Sequence, residues 1–190
     1  MGRLKREGAA FVRYIALLRG INVGGHQVKM ERLRALFGEL GLARVRTFIQ
    51  TGNVFFESND ADREALTAAI EAHLLEALGF AVPTCLRTVE ELERTLARDP
   101  FAGMTVTDDM RLNIVFAARP ISPLPELPLW SAKRDMQIVA ATELDAFVVW
   151  YLINGRPPSD GKFIERALGG PVTSRFFHTT AKILEAAKAG

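Results

Sequence analysis

Arg19, Gly20, Asn22, Gly24, Gly25 and Lys29 lie in one short stretch immediately after an apolar run and before a helical pattern. A glycine turn that feeds a helix can present backbone N–H groups and the positive end of the helix dipole to an anion. Arg19 and Lys29 would add charge there, and Asn22 direction. The glycine spacing matches neither GxGxxG nor GxxxxGK[ST], so no nucleotide fingerprint is present. The same glycines also suit a tight connection that needs positive φ, and both readings stand. A second polar turn, Gln50-Thr51-Gly52-Asn53, carries two amide side chains able to recognise a ligand edge or simply to build a hairpin. Arg175, far downstream, supplies a further cation to the candidate anion site.

Other reactive side chains are dispersed. His26, His73 and His178 have no partners at metal-ligand or triad spacing, and Glu90, Glu91 and Glu93 sit at a helix start rather than in a tuned carboxylate pair. Cys85 is the single cysteine and has no neighbouring His, which predicts a buried, unreactive thiol and excludes an internal disulfide. No nucleophile elbow or kinase signature occurs. Catalytic residues are therefore unassigned, and neither a metal nor a cofactor is expected.

The elements that must position these residues follow from periodicity. Residues 11–18 are nearly all apolar, as in a central strand buried on both faces. Met30, Leu33, Leu36, Phe37 and Leu40 recur at helical spacing, with Gly41 as a stop. Residues 45–50 and 53–58 are β-rich around Thr51-Gly52. Asn59 or Asp60 is suited to cap a helix striped by Leu66, Ile70, Leu74 and Leu78 and ended by Gly79, and residues 80–86 return as a strand. The order β-α-β-β-α-β is that of a split βαβ unit. Thr88 and Glu91 form a capping box for a helix through Arg98. In the remainder, residues 111–117, 137–140, 146–153 and 172–177 are strand-like, and two helices hold Phe163 to Leu168 and Thr179 to Lys188. Pro120, Pro123, Pro125 and Pro128 keep the crossover between the first two of these strands extended or only briefly helical. The second half thus echoes the first.

The expected fold class is α+β, layered α/β, with two ferredoxin-like split βαβ subdomains whose mainly antiparallel sheets carry helices on one face. Residues 1–10 read as a polar extension, 11–99 as the first subdomain and 100–190 as the second, together one compact unit. With 48% apolar and 24% charged residues the composition is that of a globular domain, and no apolar run approaches the ~20 residues of a membrane span. The lone cysteine and the absence of a signal-peptide cleavage pattern point to the cytoplasm. Net charge is +2, yet residues 1–50 hold ten Lys and Arg against three Glu, which permits an anionic partner for that half or a merely solvated basic face.

Beyond periodicity, Ala16-Leu17-Leu18-Arg19-Gly20-Ile21-Asn22-Val23-Gly24-Gly25, Lys29-Met30 and Thr47-Phe48-Ile49-Gln50-Thr51-Gly52-Asn53-Val54 occur in that order. They are followed by Leu86-Arg87-Thr88, Asp99-Pro100-Phe101 and Thr173-Ser174-Arg175 with Thr179, Lys182 and Leu184. In these motifs the chain resembles the bacterial family catalogued as domain of unknown function 1697, over most of residues 12–187. The resemblance implies two ferredoxin-like subdomains in one chain and implies no activity. The family's C-terminal pattern is similar to Arg-Asn-Trp-Asn-Thr, whereas this chain has Arg175-Phe176-Phe177-His178-Thr179. Any polar site those amides and that indole build elsewhere is altered here.

The functional expectation is a non-catalytic binding module for a phosphate-bearing small molecule, or less readily nucleic acid, at the strand, glycine turn and helix junction. The candidate anion ligands are Arg19, Asn22, Gly24, Gly25, Lys29, Gln50, Asn53 and Arg175. One alternative is an enzyme in the same cleft, with Arg19 or Arg175 stabilising an anion and His26 or His178 moving protons. Another is an interaction or homo-oligomerising domain. No membrane partner is expected, and the oligomeric state is open.

Overall fold

The structure is a computed structural model that describes residues 11–60 and 62–189. The N-terminal extension expected over residues 1–10 lies outside the described residues. The fold is α+β, built on two antiparallel sheets. In the first half, β1 (Val12–Leu18), α1 (Met30–Glu39), β2 (Ala43–Phe48), β3 (Asn53–Ser58), α2 (Arg63–Leu78) and β4 (Thr84–Thr88) form a sheet of order β2-β3-β1-β4. Helix α3 (Val89–Arg98) then leads to β5 (Met110–Ala117), the two-residue β6 (Leu129–Trp130), β7 (Met136–Ala141), β8 (Asp145–Tyr151), α4 (Phe163–Leu168), β9 (Val172–Phe176) and α5 (Phe177–Lys188). The second sheet has the order β6-β7-β8-β5-β9. Apart from β6, the two orders superpose strand for strand.

The correspondence extends to single hydrogen bonds. At the end of β1, Leu18 N–H donates to the Gly52 carbonyl at 2.8 Å and Arg19 N–H to that of Pro83 at 2.9 Å. At the end of β5, Ala117 N–H donates to Leu144 at 2.8 Å and Ala118 N–H to Pro171 at 3.1 Å.

Alternation along β1 explains its unbroken apolarity. Tyr14, Ala16 and Leu18 face the core under α1 and α2, while Ile15 and Leu17 face a second core shared with the other sheet. That shared core takes Phe55 and Cys85 from the first half, Ile114, Phe116 and Phe147 from the second, and the inner sides of α3 and α5. On the outer face of the second sheet, Phe163, Ile164 and Leu168 of α4 cover Val115, Ile138 and Val148. That face carries one six-residue helix where the first sheet carries helices of ten and sixteen residues.

Most element expectations hold, with corrections at the boundaries: β2 ends at Phe48 and β8 at Tyr151, two residues before the expected ends at 50 and 153, and the short β6 is additional to the expected strands. Asp62, not Asn59 or Asp60, caps α2: its side chain accepts from Ala65 N–H at 3.0 Å, while Asp60 accepts from Asp62 N–H. Strand β4 starts at Thr84 rather than residue 80, because residues 79–83 are spent crossing from the left-handed Gly79 to the sheet edge. Helix α5 starts at Phe177, directly from β9. The Thr88–Glu91 capping box is present in both directions.

Candidate functional site

The glycine turn and the polar hairpin turn meet. Gly52 at φ 74° brings its backbone against Leu18 and Ile21, so close that a Cβ there would sit 3.0 Å from each of their Cβ atoms. Asn22, itself left-handed at φ 57°, joins the two turns: its Nδ2 donates to the Gln50 carbonyl at 2.7 Å and its Oδ1 accepts from Val28 N–H at 2.8 Å. Asn22 is a clamp, and its amide is already used.

Beside these turns, a cleft of about 570 Å³ runs over the outer face of the second sheet. Gly20, Ile21, Ile49 and Thr51 line it from the first half, and Asp160, Glu165, Ser174 and Phe176 from the second. Val115, Met136 and Trp150 form its apolar floor. Trp150 Nε1 is buried and has no hydrogen-bond partner among the described residues. Ile49 adopts φ 50°, an unfavourable conformation for a β-branched residue, and is 44% exposed at the mouth.

Arg175 forms the inner wall. Its Nε donates to Asn53 Oδ1 at 2.9 Å, one terminal nitrogen to Thr173 Oγ1 and the Ser174 carbonyl, and the other to the carbonyls of Leu18 at 3.0 Å and Thr51 at 2.9 Å. Every acceptor is neutral. Burial pushes its pKa down to about 10, the desolvation cost of a cation with no carboxylate beside it. Asn53, fully buried, completes the wall by donating to the Phe48 carbonyl and Thr51 Oγ1. At the lip, Arg19 is ion-paired with Glu165 and both side chains are partly exposed.

The expected set is therefore split. Arg19 and Arg175 line the cleft, and Asn53 stands behind Arg175. Gly24, Gly25, Lys29 and Gln50 are exposed outside it. Around the glycine turn, the N–H groups of Arg19, Asn22, His26 and Val28 have internal acceptors. No residue of α1 lines the cleft. His26 and His178 are exposed, stacked on Phe80 and Phe176 respectively, and neither lines the cleft. Periodicity alone gave no signal for Glu165, Trp150 or Phe176, which lie on α4, β8 and β9 and converge through the second half's own sheet and the helix on it.

A second cavity, of about 360 Å³, lies between Arg13, Arg44, Arg46 and Phe55. Its charge is largely accounted for: Glu57 sits 3.5 Å from both Arg13 and Arg44, and Arg46 donates to the last carbonyls of α5. Arg32 is likewise ion-paired with Glu39 and Arg34 with Glu31. Among the described residues no cluster of His, Cys, Asp and Glu could hold a metal, and no helix is long and apolar enough to cross a membrane.

A family model described as protein of unknown function (DUF1697) matches residues 11–143. Among solved structures, that of the conserved bacterial protein SP0830 from Streptococcus pneumoniae is similar, with a TM-score of 0.67 and 25% identity over 94% of this chain and 99% of that one. No curated protein matches the chain.

Proposed function

Since this chain belongs to the DUF1697 family, described only as proteins of unknown function, we propose its function from the cleft: a non-catalytic module that binds a small anionic molecule beside Arg175. The observation that carries this reading is a guanidinium on a residue only 9% exposed, with neutral acceptors only, in the wall of an open cavity. A buried cation without a counter-charge is costly, and an anion entering the cleft offsets that cost in a medium of low dielectric. The apolar floor suits the body of the ligand, and a phosphate or carboxylate is the group that the charge favours. Arg19 would serve as a second cation once drawn from Glu165. Nucleic acid fits less well, because Arg13, Arg32, Arg34 and Arg44 are each ion-paired with a glutamate. A catalytic reading has no histidine in the cleft to support it. The same proposal takes the two halves as a duplicated ferredoxin-like unit, split near residue 99, and the protein as cytoplasmic.

Equilibrium dialysis with phenyl phosphate and adenosine 5′-monophosphate at low salt tests this. Binding should weaken as salt rises, and Glu165→Gln, which frees Arg19, should tighten it by roughly threefold. Failure to take up either compound, or affinity indifferent to salt and to Glu165→Gln, would overturn the proposal.

A further inference from the structure

The two halves carry matching arginines, and only one has a counter-charge. Arg87 on β4 pairs in register with Ile15, and Arg175 on β9 with Ile114, the corresponding residue of the other sheet. Each reaches into the opposite half. Arg87 Nε donates to Asp145 Oδ1 at 2.9 Å, and its terminal nitrogens to the carbonyls of Leu86, Ala117 and Leu144. Arg175 makes the same bonds to Ser174, Leu18 and Gly52 carbonyls, with Asn53 where the other has Asp145. Asn53 and Asp145 are equivalent by register, opposite Leu17 on β1 and Phe116 on β5.

Arg175 adds bonds to Thr173 Oγ1 and the Thr51 carbonyl, and Asp145 also accepts from Thr95, but the difference in charge is one amide against one carboxylate. Arg87, neutralised by Asp145, is sealed at 2% exposure, and neither cavity has it in its wall. Arg175, facing Asn53, borders the cleft. We propose that Asn53 is a specificity-determining residue: by standing neutral where the other half has a carboxylate, it leaves the Arg175 charge to be met by the anionic group of the ligand. This rests on the reading of the cleft as a ligand site and extends it to ligand class. The expected ligand has one anionic group on an apolar, ring-bearing body, the ring lying on a floor that includes the unpartnered Trp150 N–H and is flanked by Phe176.

The test compares phenyl phosphate with benzyl alcohol, a neutral probe of the apolar floor, by dialysis and saturation-transfer NMR. Asn53→Asp supplies the missing carboxylate and should weaken phenyl phosphate by at least about tenfold while benzyl alcohol is retained within twofold. Because the substitution also removes two donors, to Phe48 and Thr51, Thr173→Asp, at the residue whose hydroxyl already accepts from Arg175 at 2.9 Å, supplies a carboxylate there without touching those donors and should give the same split if Asn53→Asp does not fold. Equal phenyl phosphate affinity in wild type and the folded carboxylate variant overturns the role of Asn53 and leaves the cleft reading standing. Loss of both probes together assigns Asn53 a structural role only, and also overturns the proposal. Absence of phenyl phosphate binding in wild type defeats the cleft reading itself.

Discussion

Arg175 and Arg87 show what a guanidinium does that an ammonium cannot. Each distributes its donors among several acceptors fixed in a plane, which Lys, with three donors on a point charge, does not reproduce. Next to them, Cys85 contacts the same shared core, and its thiol points at the Phe116 carbonyl at 3.3 Å. Burial pushes its pKa from 9.0 up to about 11. The unfolded chain therefore releases this proton first, so the contribution of Cys85 to stability is complete below about pH 9 and is lost as pH rises towards about 11. Urea midpoints measured from pH 8 to 11 should fall more steeply for wild type than for Cys85→Ala. Parallel curves would show that the thiol is not held neutral by the fold.

Among the elements, the connection between β2 and β3 is tightly constrained. Ile49 and Gly52 both adopt positive φ, and Gly52 leaves no room for a methyl group against Leu18 and Ile21. Gly52→Ala should lower stability by about 2 kcal/mol in urea melts, from strain and displacement together, and should weaken phenyl phosphate binding by moving the Thr51 carbonyl that Arg175 holds. An unchanged urea midpoint would show that the turn relaxes at no cost. Much of this level was legible in the residues: the helix stripe of Leu66, Ile70 and Leu74, the Thr88–Glu91 box, and β1 as a strand apolar on both faces are local patterns with local causes. The candidate site was only half legible. Arg19 and the two turns announce themselves by composition, but the bond from Arg175 to Asn53 spans 122 residues, and no local period encodes it. Asn22 misled for a related reason, since an exposed-looking amide in a glycine turn had one partner on another turn, the Gln50 carbonyl, and another at Val28.

For the molecule as a whole, the shared core decides how far each half can stand alone. Ile15, Leu17, Phe55 and Leu92 are covered by Phe116, Phe147, Ile183 and Leu184 from the other half. A fragment of residues 11–99 would expose that face, and the two arginine clamps would lose their acceptors or their donors. The full chain should unfold in a single cooperative urea transition, and the fragment should show neither dispersed amide resonances nor a sigmoidal melt. A fragment that folds by itself would establish two autonomous domains and would make the interface a docking contact.

The swapped clamps also impose an order on biosynthesis. The turn at residues 51–53 is made early, yet the guanidinium that secures it is added 122 residues later. At about 5–20 residues per second, a ribosome needs on the order of ten seconds to cover that distance. During that interval the wall of the cleft is unfinished, and a nascent chain that stalls before β9 has no means of completing it.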